Sequence, residues 1–179
     1  MRFVNIDLQS VLTEKLAFWE CRITDTNYTK KRTRYAIMLQ LLRTLPDDFI
    51  IDCECASNKN PDEPNAGSLI EIVVHYHYSK NPSLLEMAKS ASMADIYMRN
   101  GRGIEVKLSL DGMTYNTRIN NPMKIYLVNR DGVYIIEKKD IDYVISTYGH
   151  RGHLPYTHFD DNAMKLHKGL TKALGFTTK

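Results

Sequence analysis

The sequence predicts an α/β fold: a mixed central β-sheet flanked by helices. Three observations carry that prediction. Segments of helical period open and close the chain, and strand-like runs joined by tight turns occupy its middle. The third is size: 179 residues, 43% of them hydrophobic, fit a single domain spanning 1–179 with a full core.

Each element follows from local pattern. Residues 7–20 (DLQSVLTEKLAFWE) read as an amphipathic helix, with Asp7 as N-cap and Val11, Leu12, Leu16 and Trp19 on the apolar side. Residues 32–45 read as a second helix through Tyr35, Met38, Leu39 and Leu42, ended by Pro46. Residues 49–55 (FIIDCEC) look like a strand, and 57–67 (SNKNPDEPNAG) is the clearest loop. The run 68–79 (SLIEIVVHYHYS) fits both a β-branched, aromatic strand and a helical stripe, and periodicity leaves both open. Ser83 through Glu86 form a capping box, which predicts a short helix over about 84–91.

The strands come next. Residues 94–99 and 103–110 flank an NGRG turn, and 124–129 and 133–137 flank Arg130-Asp131-Gly132; both read as hairpins. Residues 139–149 read as a helix with Gly149 just past its end. Residues 160–175 read as a last helix, basic on its polar face and stopped near Gly175.

Charge and cysteine usage bound the setting. The net charge of +3 permits an acidic partner without requiring one. Three cysteines, Cys21, Cys53 and Cys55, and the absence of a signal-like segment or long apolar run predict a cytoplasmic protein with no membrane span. Nucleophile-elbow, P-loop and dinucleotide-binding fingerprints are missing from the sequence.

The segment around Asp95 suggests a reaction. In a strand, residues i and i+2 share a face, so Glu105 and Lys107 project together, and the NGRG turn folds Asp95 back beside them. Two carboxylates and an ammonium at one point suit hydrolysis of a phosphodiester. Asp95 and Glu105, with the carbonyl of Val106, would hold a hard divalent cation, and Lys107 would position or deprotonate a water or stabilise developing charge. The competing reading is a surface hairpin with an i, i+2 Glu–Lys pair of little energetic weight.

At these residues the sequence resembles the PD-(D/E)xK nuclease superfamily, particularly short type II restriction endonucleases. The matching pattern is Asp95, a spacer of nine residues, then Glu105-Val106-Lys107. The stretch 116–141, an Asn-Asn-Pro segment leading into strand, turn and strand, looks like the segment after the catalytic strand in several such families. The resemblance covers about 68–145. It implies a restriction-endonuclease-like fold and a Mg²⁺-dependent endodeoxyribonuclease, with Mn²⁺ able to substitute. It further implies a homodimer, because cutting duplex DNA at a symmetric site needs two active sites. Asp95 and Glu105 would be metal ligands and Lys107 the catalytic lysine. Glu71 or Glu86 would supply the extra upstream acid, Glu71 being preferred. Ala94 stands where many members have proline, and Asp111-Gly112 leaves little room for the long helix that often comes after the ExK strand.

DNA contacts are expected from two groups. Lys30, Lys31, Arg32 and Arg34 suit phosphates, whereas Ser109, Tyr115, Asn116, Arg118, Asn120 and Asn121 form a segment rich in base-edge and phosphate donors. A polar loop of turn-forming residues explains the second group equally well. Cys53, Cys55, His75 and His77 would supply four zinc ligands if both pairs sat on strands, but the spacings match structural zinc sites poorly. His150, His153 and His158 read as surface histidines of a basic loop. Within the nuclease class the alternative is a structure-specific enzyme, such as a junction resolvase or a repair or phage nuclease. Outside it stands a non-catalytic nucleic-acid-binding protein.

Overall fold

A computed structural model describes residues 2–20, 26–47, 49–52, 66–79, 84–87, 95–98, 103–115, 124–149 and 152–177. The architecture is mixed α/β, and the chain divides into two compact units, 1–73 and 74–179.

In the first unit a short strand β1 (Arg2–Val4) runs into helix α1 (Asn5–Glu20), followed by α2 (Thr26–Leu42). Strand β2 (Ile50–Asp52) pairs antiparallel with β1. Leu8 and Leu12 of α1 and Ile37, Met38, Leu39, Leu41 and Leu42 of α2 are buried, the spacing expected of amphipathic helices. Helix α1 begins at Asn5, so Asp7 lies inside the first turn instead of capping it. Helix α2 starts earlier than its apolar stripe suggests and ends before Pro46, which cannot continue a helix.

The ambiguous segment is a helix, α3 (Ala66–Ser79). Its buried residues Leu69, Ile70, Val73 and Val74 repeat at helical spacing. On a helix, residues two apart lie about 200° around the axis, so His75 and His77 do not share a face and the zinc reading loses its strand geometry. Cys53 and Cys55 fall outside the described residues.

The second unit is built on a six-stranded mixed sheet, in the order β10-β8-β7-β5-β4-β3. These strands are β3 (Leu84–Met87), β4 (Ile96–Met98), β5 (Gly103–Leu108), β7 (Lys124–Val128), β8 (Val133–Glu137) and β10 (Met164–Leu166). All neighbours are antiparallel except β5 and β7, which run parallel with Glu105 beside Ile125 and Lys107 beside Leu127. A separate antiparallel ribbon pairs β6 (Gly112–Tyr115) with β9 (Gly152–Pro155).

Two expected helices are corrected. The capping-box segment is strand β3, because its backbone pairs along β4, Met87 opposite Ile96 and Leu84 opposite Met98. The long C-terminal helix is broken. Asp160 Oδ1 accepts the N–H groups of Asn162 and Ala163 in a tight turn, and β10 then adds to the outer edge of β8. Only Lys168–Ala173 is helical (α5), with His167 as its N-cap through Nδ1 accepting the Leu170 N–H at 3.3 Å. Helix α4 (Lys138–Tyr148) ends as expected at Gly149, whose φ of 65° lets its N–H reach the Ile145 carbonyl.

The two faces of the sheet differ. Ile125, Leu127 and Ile136 pack with Ile141 and Val144 of α4 and with Leu154, Phe159 and Ala163. On the opposite face Tyr126 meets Tyr78 of α3, hydroxyl to hydroxyl at 3.0 Å. Among the described residues no helix is long and apolar enough to cross a membrane.

Candidate active site

The pairing of β4 with β5 explains why Asp95 and Glu105 meet. Ile96 lies opposite Ile104 and Tyr97 opposite Gly103. One step further in the same register sets Asp95 against Glu105, where the pairing of β4 with β5 has stopped. In place of a strand partner, the Val106 N–H donates to Asp95 Oδ2 at 2.6 Å. A residue's N–H and C=O point to the same side of a strand. The Val106 carbonyl therefore faces Asp95's side too, as a shared metal site would require.

Glu105 and Lys107 sit on the face shared with Ile125 and Leu127, as their register requires. The Lys107 ammonium donates to Glu105 Oε1. Glu105 is only 8% exposed, and its other oxygen, Oε2, is buried with no hydrogen-bond partner. A buried carboxylate oxygen with nothing to satisfy it is costly in a purely structural role. Burial is also the largest influence on Asp95, pushing its carboxyl up to about 6. The Val106 N–H opposes that shift, the Glu105 charge adds to it, and the Lys107 charge opposes it.

The donor set suits Mg²⁺. That ion takes oxygen ligands, commonly one or two carboxylates completed by waters and substrate phosphates. Asp95, Glu105 and the Val106 carbonyl are oxygen donors, and Glu105 Oε2 is an acceptor awaiting a partner. Among the described residues no group of three or more His, Cys, Asp or Glu side chains comes together.

The other sequence-predicted residues lie on several elements or outside the described residues. Ser109 is buried, and its hydroxyl donates to the Gly112 carbonyl in the turn that ends β5. Tyr115 lies on β6, while Asn116, Arg118, Asn120 and Asn121 fall outside the described residues. Lys30, Lys31, Arg32 and Arg34 are exposed on α2 of the first unit, and Glu71 is half-buried on α3 in the same unit. His150 lies outside the described residues, His153 is exposed on β9, and His158 stacks on Tyr148 with ring centroids 4.1 Å apart.

Sequence reasoning missed the Val106 N–H that fixes Asp95 and the burial of Glu105. The first had a signal, because a hairpin whose register ends at an acid leaves a backbone donor for that acid. The second had none in the sequence, since it depends on what covers the face. No family model, curated protein or solved structure matches this chain.

Proposed function

We propose that the protein is a Mg²⁺-dependent endodeoxyribonuclease of restriction-endonuclease-like fold that hydrolyses DNA phosphodiester bonds, acting as a homodimer on duplex DNA at a specific site. The observation that carries this reading is the juxtaposition of Asp95, Glu105 and Lys107: Asp95 is held by the Val106 N–H and feels both charges, Lys107 is paired with Glu105 Oε1, and the second Glu105 oxygen is buried without a hydrogen-bond partner. The strand-turn-strand of β7 and β8 after β5 supports it, because it matches the order that the resemblance implies.

Each group has a part in the chemistry. Asp95 and Glu105 would hold Mg²⁺, with Mn²⁺ as a substitute, and the Val106 carbonyl would add a ligand. When bound, the ion polarises the scissile phosphate and acidifies a water. The Val106 N–H keeps Asp95 oriented towards the shared point. Lys107, carried on the same face, orients the attacking water or stabilises charge on the phosphate. Lys30, Lys31, Arg32 and Arg34 of α2 would contribute phosphate contacts, which set position without reading sequence.

Purified protein incubated with plasmid and phage DNA, in Mg²⁺ or EDTA and beside the Lys107→Ala variant, tests the reading. Discrete bands that require Mg²⁺ and Lys107 are expected. Nicking or smearing with the same dependence would replace site-specific cleavage by a structure-specific or nonspecific nuclease. No cleavage of plasmid, phage or branched DNA would reduce the protein to a nucleic-acid-binding module.

A further inference from the structure

The carboxylate pair of this site already contains a cation. Lys107 places its ammonium on Glu105 Oε1, and its charge also favours the ionised form of Asp95. Glu105 Oε2 is left buried without a partner, and one Asp95 oxygen is engaged by the Val106 N–H. A divalent cation approaching these carboxylates meets a positive charge already paired with one of them. The lysine has the means to yield. Its side chain is 33% exposed, against 11% for the Glu105 side chain, so the ammonium has a route to solvent that the carboxylate lacks.

We infer that Lys107 is an internal counter-ion of Glu105 that competes with divalent cations for these carboxylates and so sets the affinity of the site for them. The same ammonium that serves the phosphate when the ion is present neutralises Glu105 when it is absent. The carboxylate row thus stays folded and ready without a metal, at the expense of weaker cation binding. This inference rests on the reading of Asp95 and Glu105 as metal ligands, and it goes beyond that reading by giving Lys107 a role in loading the site.

Isothermal titration of the metal-stripped full-length protein with Mn²⁺ and with Ca²⁺ tests it without any activity measurement. Lys107→Met should bind each cation about tenfold or more tightly than wild type, because a like charge is removed. Lys107→Arg, which keeps the charge, should stay within roughly threefold of wild type. Lys107→Gln carries the same expectation as the methionine variant and replaces it if thermal melts show that variant unfolded. Equal or weaker binding by a folded, uncharged variant would overturn the inference, as would equal tightening by Lys107→Arg. Asp95→Asn and Glu105→Gln should each lose binding by about tenfold or more. If they bind like wild type, or if wild type does not bind at all, the metal-ligand reading itself fails, and that outcome is distinct from failure of the counter-ion role.

Discussion

Two lysine–glutamate pairs on the described strands of one sheet behave differently. Lys124 and Glu137 face each other across the β7–β8 hairpin at 3.4 Å, with side chains 33% and 39% exposed. Lys107 and Glu105 share one strand, and there the carboxylate side chain is only 11% exposed and keeps a second oxygen unsatisfied. The first pair sits where β7 and β8 are matched along all their residues, and solvent reaches both partners. The second sits where β4 has stopped pairing with β5 and an aspartate has taken a backbone donor. An exposed pair on a complete hairpin is surface decoration worth little. In the second pair the lysine is as exposed as Lys124, but the carboxylate is buried beside a second carboxylate at a break in the pairing.

The largest expected break of this contrast is in catalysis. Asp95→Ala, Glu105→Ala and Lys107→Ala should each lower Mg²⁺-dependent cleavage by about a thousandfold or more. Lys124→Ala and Glu137→Ala should leave it within about twofold. Matched plasmid-cleavage rates decide the point, and comparable losses at both pairs would erase the distinction.

The next effect is on stability against pH in the metal-free protein. Asp95 holds its proton up to about 6 in the folded chain and only to about 3.8 when unfolded. Its contribution is therefore fully present below about pH 4 and is lost as pH rises through 6. Asp95→Asn, which can still accept the Val106 N–H, should match wild type near pH 3. Above pH 6 it should be more stable by up to about 3 kcal/mol. Denaturant melts across that range measure the difference, and parallel curves for the two proteins would contradict it.

A smaller effect is expected just beyond β5. A Cβ on Gly112 would lie 2.6 Å from His153 Nε2 and 2.8 Å from the Leu154 carbonyl oxygen, and the backbone neighbour has little freedom to move. Gly112→Ala should cost about 1–3 kcal/mol by urea melt. The smallest effect is Glu137→Gln, which should change stability by less than about 0.5 kcal/mol.

The parts of the fold legible in the sequence share a physical cause. Turn chemistry and alternation located β4, β5, β7 and β8 and brought Asp95 to Glu105, because those signals are local and agree with the final pairing. Gly149 marked the end of α4 for the same reason. The capping box at Ser83 misled, since a local signal yields when an edge of β4 offers a ladder to the next four residues. The C-terminal helix was overextended for the same cause at the other edge of the sheet, where β8 recruits Met164 to Leu166. Segment 68–79 became a helix through burial, which no periodicity count contains. Ser109 looked like a DNA donor because a polar residue beside a basic, asparagine-rich segment reads as exposed. Its hydroxyl instead closes the turn with Gly112.

The ribbon of β6 and β9 has a bearing on how the molecule is made. It ties Gly112 to Pro155 and Tyr115 to Gly152, so roughly forty residues must be synthesised between its two strands, a long loop to close. The turn that ends β5 cannot gain this partner on the ribosome until β7, β8 and α4 have all emerged. The ribbon therefore forms late in synthesis, after the residues of β4, β5, β7 and β8 have all been made.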